Sequence, residues 1–314
     1  MSFVAPPAPQ AHILTRFSDL IRQSLQVRLI ALLLVASVPP LALTIWFAQQ
    51  EYSHLKSATE ENARTLAAHV LDTLDRVLFE RYGDTQLTSQ LPAVRAMEAD
   101  RLTAIAERVV TTYAPYYTLI VVADRNGIIR AVNAVDGDGQ PIPSRQLVGQ
   151  SVSGQSWFEQ ALTSPGITVF DFQTDPLVQH VYGPDAQRTM TFATRIQGPP
   201  VKGGEGRTVG VWSTRIPEST ITQMLLHAET PVEKYDKVRI ALFAKDGHPI
   251  GGFREHTGQA SLDSMPQPLA SISSSGFSAY QGLGWRISVY PPNEGGASRT
   301  PFSIPVSAGI MVSI

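Results

Sequence analysis

The feature that most constrains this chain is residues 29–50, a stretch with no charged side chain that is almost wholly apolar as far as Phe47. A helix needs about 20 such residues to cross the hydrocarbon core of a bilayer, so a membrane helix is expected over residues 29–48. Pro39 and Pro40 fall mid-span. Proline kinks a helix in water but is tolerated in a membrane, where neighbouring groups re-satisfy the freed backbone. Trp46 lies near the far end, at the depth where interfacial aromatics gather. Arg16, Arg22 and Arg28 precede the span against a single Asp19, and Glu51 follows it. Cationic flanks stay in the cytoplasm, which puts residues 1–28 inside and the rest outside. A cleaved signal peptide is the alternative, but the apolar core exceeds the ~7–15 residues of a signal sequence and its polar leader is long. Residues 302–314 are apolar and uncharged too. They are too short to cross a bilayer and read either as the start of a second membrane helix, cut short, or as a buried C-terminal strand.

Composition removes several functions. The net charge of -2 over 314 residues offers no basic surplus for nucleic acid. The chain has no cysteine, which excludes disulfides, Cys-ligated zinc, iron–sulfur clusters and covalent haem. Its seven histidines are scattered without ligand spacing. There is no nucleophile elbow, no H-E-x-x-H and no phosphate loop. The expectation is a protein that is not an enzyme and carries no metal and no cofactor.

After the membrane span, Ala63, Ala67, Val70, Leu74 and Val77 recur at spacings of four and three, with Leu66, Leu71 and Leu78 beside them. Glu60, Glu61, Arg64, Asp72 and Asp75 occupy the other face. This is a heptad-like stripe, suited equally to packing on its own domain and to pairing with a second copy. A second helix is expected over 91–113, opening near Pro92. The period then becomes alternating. Residues 119–123 form a β run, Asp124-Arg125-Asn126-Gly127 a turn, and residues 128–132 its hairpin partner. A loop over 136–154 leads to a short helix at 157–162. Strands are expected at 168–172, 190–196 and 209–216, with a turn cluster at 198–206. A smaller unit repeats the opening hairpin: strand 238–244, the turn Lys245-Asp246-Gly247, and strand 249–253. Residues 257–275 read as loop, and 277–280 with 285–290 as a closing hairpin. The pattern is α+β, with hairpins and antiparallel pairing.

The order of these pieces, carried by Val121-Val122-Ala123-Asp124-Arg125-Asn126-Gly127-Ile128-Ile129, Ser156-Trp157-Phe158-Glu159-Gln160-Ala161, Gly210-Val211-Trp212 and Gly284-Trp285-Arg286-Ile287-Ser288-Val289, resembles the double Cache sensor family. Those are the PAS-like extracytoplasmic modules of bacterial chemoreceptors, sensor histidine kinases and diguanylate cyclases. The resemblance implies a cytoplasmic tail (1–28), a membrane helix (29–48) and a long helical stalk (49–114). A membrane-distal module (115–232), a membrane-proximal module (233–294) and a linker with a truncated second membrane helix (295–314) follow. It also implies signal transduction of the chemotaxis or two-component kind, inner-membrane location with periplasmic modules, a homodimer through the stalk helix, and a small ligand in the distal module. The expectation is therefore an input part without its cytoplasmic output domain, whether a short protein or a truncated gene.

Amino-acid-binding members of that family carry R-x-W-[FY], whose Arg holds the ligand carboxylate, and an acidic residue on the last strand that holds the ammonium. This chain keeps Trp157 and Phe158 but has Gln155 in place of the Arg, and Arg215 at the acidic position. An ammonium facing Arg215 is repelled in a site that excludes water, so the expected ligand is an organic anion gripped by the guanidinium. Asp171, Asp175, His180 and Tyr182 fall in the segment expected to cross the pocket mouth. Arg215 has Asp171 or Glu218 as alternative surface partners. The competing reading is a membrane-anchored envelope protein with a structural or interaction role and no small ligand.

Overall fold

The computed structural model describes residues 25–200, 206–229, 239–252 and 266–291. Most of the expected cytoplasmic tail and the apolar residues 302–314 lie outside them. The chain forms two compact units, residues 1–60 and 61–314, and helix α1 (Leu25–Ser89) contributes to both.

In the first unit α1 is continuous through Pro39 and Pro40. The large apolar side chains of α1 from Leu29 to Phe47 are 52 to 74% exposed, a surface that water disfavours and lipid does not. Ser37 and Thr44 turn their hydroxyls back onto the carbonyls of Leu33 and Pro40, at 2.6 and 3.0 Å, so each meets its hydrogen-bonding need inside the helix. Among the described residues, α1 is the one helix long and apolar enough to cross a membrane.

The second unit continues with α2 (Pro92–Arg95) and α3 (Ala99–Thr112). The single helix expected over 91–113 is thus broken. Met97 takes a φ of 53°, a left-handed conformation that ends a helix. Arg95 fixes the break to the neighbouring sheet by donating to the carbonyls of Gln197 and Gly198, at 2.8 Å each.

Next come β1 (Leu119–Asp124), β2 (Ile129–Val132), a 3-10 turn (Pro143–Leu147), α4 (Ser156–Thr163), β3 (Thr168–Gln173), α5 (Pro176–Tyr182), β4 (Thr189–Gln197) and β5 (Thr208–Pro217). The five strands form one antiparallel sheet in the order β2-β1-β5-β4-β3. Helix α6 (Glu218–Glu229) leads to β6 (Arg239–Phe243), β7 (Pro249–Gly252), β8 (Ala270–Ser273) and β9 (Arg286–Tyr290), which pair in the order β7-β6-β9-β8. Both sheets place the first strand between its hairpin partner and the last strand, so the architecture repeats with one strand fewer. Two expectations for the smaller sheet change. Its edge strand is β8, inside the stretch read as loop; Ala270 and Ile272 are half-buried while Ser271 and Ser273 are exposed, a serine-rich alternation with a weak apolar signal. Phe277 and Tyr280 form only an isolated bridge.

The β1–β2 turn shows why the first hairpin is legible locally. Asp124 Oδ1 accepts from the backbone N–H groups of Asn126 and Ile128, at 2.9 and 3.0 Å, and Oδ2 accepts from Arg130 Nε at 2.7 Å. Gly127 has φ +79°, and a Cβ there would lie 2.8 Å from the backbone nitrogen of Ser153, so the turn admits no side chain. Burial pushes the Asp124 carboxyl up, but the Ile128, Arg130 and Asn126 interactions outweigh it and hold its pKa below the usual range. We expect Asp124→Ala to destabilise the fold by about 1–3 kcal/mol at pH 7. A depressed carboxyl stabilises above its unfolded pKa of about 4, and that contribution disappears as pH falls through the folded value. Urea denaturation at pH 7 and pH 3 checks this: the gap between wild type and variant narrows in acid.

The sheet of five has a core on each face. On one, Ala67, Val70, Leu74 and Leu78 of α1 and Leu102, Ala106 and Val110 of α3 meet Ile120, Phe192, Trp212 and Ile216. The smaller sheet joins this same core through Ile240, Leu242, Ile287 and Val289. Apart from the half-buried Val77, the heptad-like stripe is therefore consumed by packing within the chain. Asp75, expected on the solvent face, is only 6% exposed, and Ser274 Oγ donates to its carboxylate at 2.7 Å. Burial raises the Asp75 pKa, partly offset by that bond. On the other face of the sheet, Leu119, Val121 and Val211 meet Leu147, Trp157, Phe158 and Val178.

Candidate functional site

The β5 alternation decides which side chains reach the second face. Trp212 and Ile216 point to the helices, and Val211, Ser213 and Arg215 point the other way. Arg215 is fully buried. Its Nε donates to Asp175 Oδ2 at 3.0 Å and its Nη1 to Ser213 Oγ at 2.6 Å. The guanidinium carbon lies 4.5 Å from the centroid of the Trp157 ring, a cation–π stack. Nη2 is buried with no hydrogen-bond partner.

Asp175 is 4% exposed and caps α5, accepting from the Leu177 N–H at 2.8 Å through Oδ1. One carboxylate therefore ties α5 to the sheet through Arg215 and starts the helix. Trp157 Nε1 donates to Gln155 Oε1 at 2.7 Å, and Phe158 packs edge-on to Trp157 with centroids 5.9 Å apart. Gln155, Trp157, Asp175 and Arg215 thus form one connected set, with Phe158 supporting it.

The other expected site residues lie apart from this set. Asp171 turns toward the smaller sheet, where both carboxylate oxygens accept from Trp285 Nε1 at 3.1 and 3.0 Å. His180 sits on the exposed side of α5. Tyr182 donates to the Thr118 carbonyl at 3.0 Å. Arg215 pairs with neither Asp171 nor Glu218, since Glu218 is held by Arg188, whose Nε and Nη2 donate to its two carboxylate oxygens at 2.9 and 2.8 Å. Sequence reasoning missed Ser213, which its position two residues before Arg215 on one strand face was enough to suggest.

At the C-terminal end of α5 a cavity of about 640 Å³ opens between Val178, Tyr182, Asp185, Thr189, Asp136 and Pro217, within the size range of small-molecule pockets.

The repeated strand order, with the long helix under one face and short helices and loops over the other, decides the architecture. It is the α+β arrangement of two antiparallel sheets that the resemblance to double Cache, PAS-like modules led us to expect. No family model matches the sequence, and no curated protein matches it. Among solved structures, the ligand-binding domain of the Pseudomonas aeruginosa PAO1 amino acid chemoreceptor PctB, in complex with L-Arg, is similar at 12% identity. It covers 76% of this chain and 89% of that one, with a TM-score of 0.48. Methyl-accepting chemotaxis protein X is similar at 13% identity over 76% of this chain and 99% of its own, with a TM-score of 0.49. The periplasmic domain of Vibrio cholerae LuxQ is similar at 11% identity over 76% and 100%, with a TM-score of 0.40.

Proposed function

We propose that this chain is the small-molecule input part of a membrane-bound signalling receptor, of chemoreceptor or sensor-kinase type. Its activity is binding, not turnover. Residues 1–28 lie in the cytoplasm, residues 29–48 cross the inner membrane, and the sensing modules, divided at about residue 232, face the periplasm. The ligand enters the distal module on the face opposite the long helix. It is a small organic anion whose carboxylate meets Arg215, with Trp157, Phe158 and Gln155 around it and α5 above.

The observation that carries this reading is the free Nη2 of Arg215. A buried N–H with no acceptor costs about 1–3 kcal/mol, and a ligand carboxylate removes that cost on binding while Asp175 keeps Nε. Such a ligand favours the state in which the free donor is reachable, and shifts the sensor only by its differential affinity for two states. A homodimer through the stalk helix is part of the proposal, and uses faces of α1 other than the stripe from Ala63 to Leu78. The envelope-protein alternative calls for a filled distal module, which the 640 Å³ cavity beside α5 does not favour.

Arg215→Lys tests the anchor. Lysine retains a cation for Asp175 but lacks the fork that presents Nη2. Calorimetric titration with a panel of mono-, di- and tricarboxylates should find a ligand for the wild type, with affinity about tenfold or more weaker in the variant. Equal affinity removes Arg215 from the site.

A further inference from the structure

We infer that the cavity at the end of α5 is a second ligand site, built for a small organic ion carrying a primary ammonium group. It goes beyond the carboxylate site on Arg215, from which it differs in both position and charge.

The lining sets the charge. Asp136, Asp138 and Asp185 border the cavity, and among the described residues no lysine, arginine or histidine lines it. Arg188, adjacent in sequence to Thr189, is engaged by Glu218. The rim therefore presents uncompensated negative potential, which concentrates cations at the opening. Asp136 has one oxygen to spare: its Oδ1 accepts from the N–H groups of Asp138 and Gln140, at 3.0 and 2.8 Å, and among the described residues no hydrogen bond is made to Oδ2. The Tyr182 ring, 41% exposed on the cavity wall, offers a π face to a cation. Its hydroxyl is fixed on Thr118.

The second, independent observation is Thr189. This residue lines the cavity, is 0% exposed, and its hydroxyl has no hydrogen-bond partner. Buried hydroxyls in native proteins nearly always have one. On β4 the alternation puts Thr189 on the same face as Ala193, which belongs to the core on the α5 side of the sheet. A primary ammonium donates to the Thr189 oxygen with one N–H and to a rim carboxylate with another. A quaternary ammonium satisfies the charge but has no N–H for Thr189.

The site lies where β5 ends at Pro217 and α6 begins toward the smaller sheet. An occupant there touches the junction between the two sheets.

The test is calorimetric titration of the full chain in lipid nanodiscs with putrescine, ethanolamine and tetramethylammonium. A primary amine should bind, with tetramethylammonium weaker by about tenfold or more, the loss of one charge-assisted hydrogen bond. Thr189→Val, equal in shape, removes an unsatisfied polar atom. It should therefore unfold at the wild-type temperature or above while losing about tenfold in amine affinity. Asp185→Asn, on the exposed rim, should also weaken the amine. Failure of both primary amines to bind overturns the inference, as does a Thr189→Val variant that folds and binds amine as tightly as wild type. Carboxylate titrations on the same sample report the Arg215 site separately, so either reading can fail alone.

Discussion

Trp285→Ala should lower the stability of the sensor unit by about 3–5 kcal/mol, the cost of emptying a large buried aromatic site. Trp285 is 2% exposed and sits where the two sheets share a core. Its ring stacks on Phe172 of β3, with centroids 5.6 Å apart and planes 14° from parallel, and its N–H reaches Asp171. Around it, Phe277 packs on Phe79 of α1 at 5.4 Å, and Tyr280 faces Tyr82 at 6.4 Å. The indole is therefore one of the side chains that hold the smaller sheet to the larger one and to the helix. Trp285→Phe keeps a ring against Phe172 and gives up the N–H to a half-buried carboxylate, and should cost only about 1–2 kcal/mol. Denaturant unfolding followed by far-UV dichroism measures both. A loss below 1 kcal/mol for the alanine variant would mean that the two sheets do not depend on this contact.

The second large effect belongs to the Arg215–Asp175 pair. Arg215→Ala leaves Asp175 inside the protein without its cation, and removing one partner of a buried pair costs about 3–5 kcal/mol. Asp175→Ala leaves the guanidinium in the same position and also removes the cap of α5, so its loss should be at least as large. The informative variant is the double one. Arg215→Met with Asp175→Leu removes both charges and fills the space, and such replacements are often neutral or stabilising. We expect it to recover most of the loss while failing to bind a carboxylate. If the double variant is as unstable as the two single losses summed, the pair is not coupled, and α5 is held by other contacts.

Much of the fold was legible because its signals are local. The β1–β2 hairpin is specified within seven residues, by Asp124, Gly127 and Arg130 acting on one another. The strand that follows the Lys245-Asp246-Gly247 turn is read the same way, with Asp246 accepting from the His248 N–H. Features set by distant partners were not legible. Asp75 looks like a solvent-facing helical acid until Ser274, 199 residues later, is placed against it. Asp171 and Asp175, four residues apart on the same segment, go to opposite faces: a register shift within the β3–β4 pairing and the start of α5 intervene. Nothing in the spacing assigns one to Trp285 and the other to Arg215. The break at Met97 is hidden for a similar reason, since the carbonyls that hold Arg95 belong to residues 197 and 198.

Everything proposed for this receptor rests on the distal module binding a small molecule. The most direct measurement is the unfolding temperature of the nanodisc-embedded chain against organic acids, amino acids, amines, purines and sugars. A ligand at 100 times its Kd stabilises the folded state by about 2.7 kcal/mol, a shift well above the noise of calorimetry. At least one carboxylate should produce such a shift, and Arg215→Lys should lose it. No shift from any compound in the panel would contradict binding by the distal module.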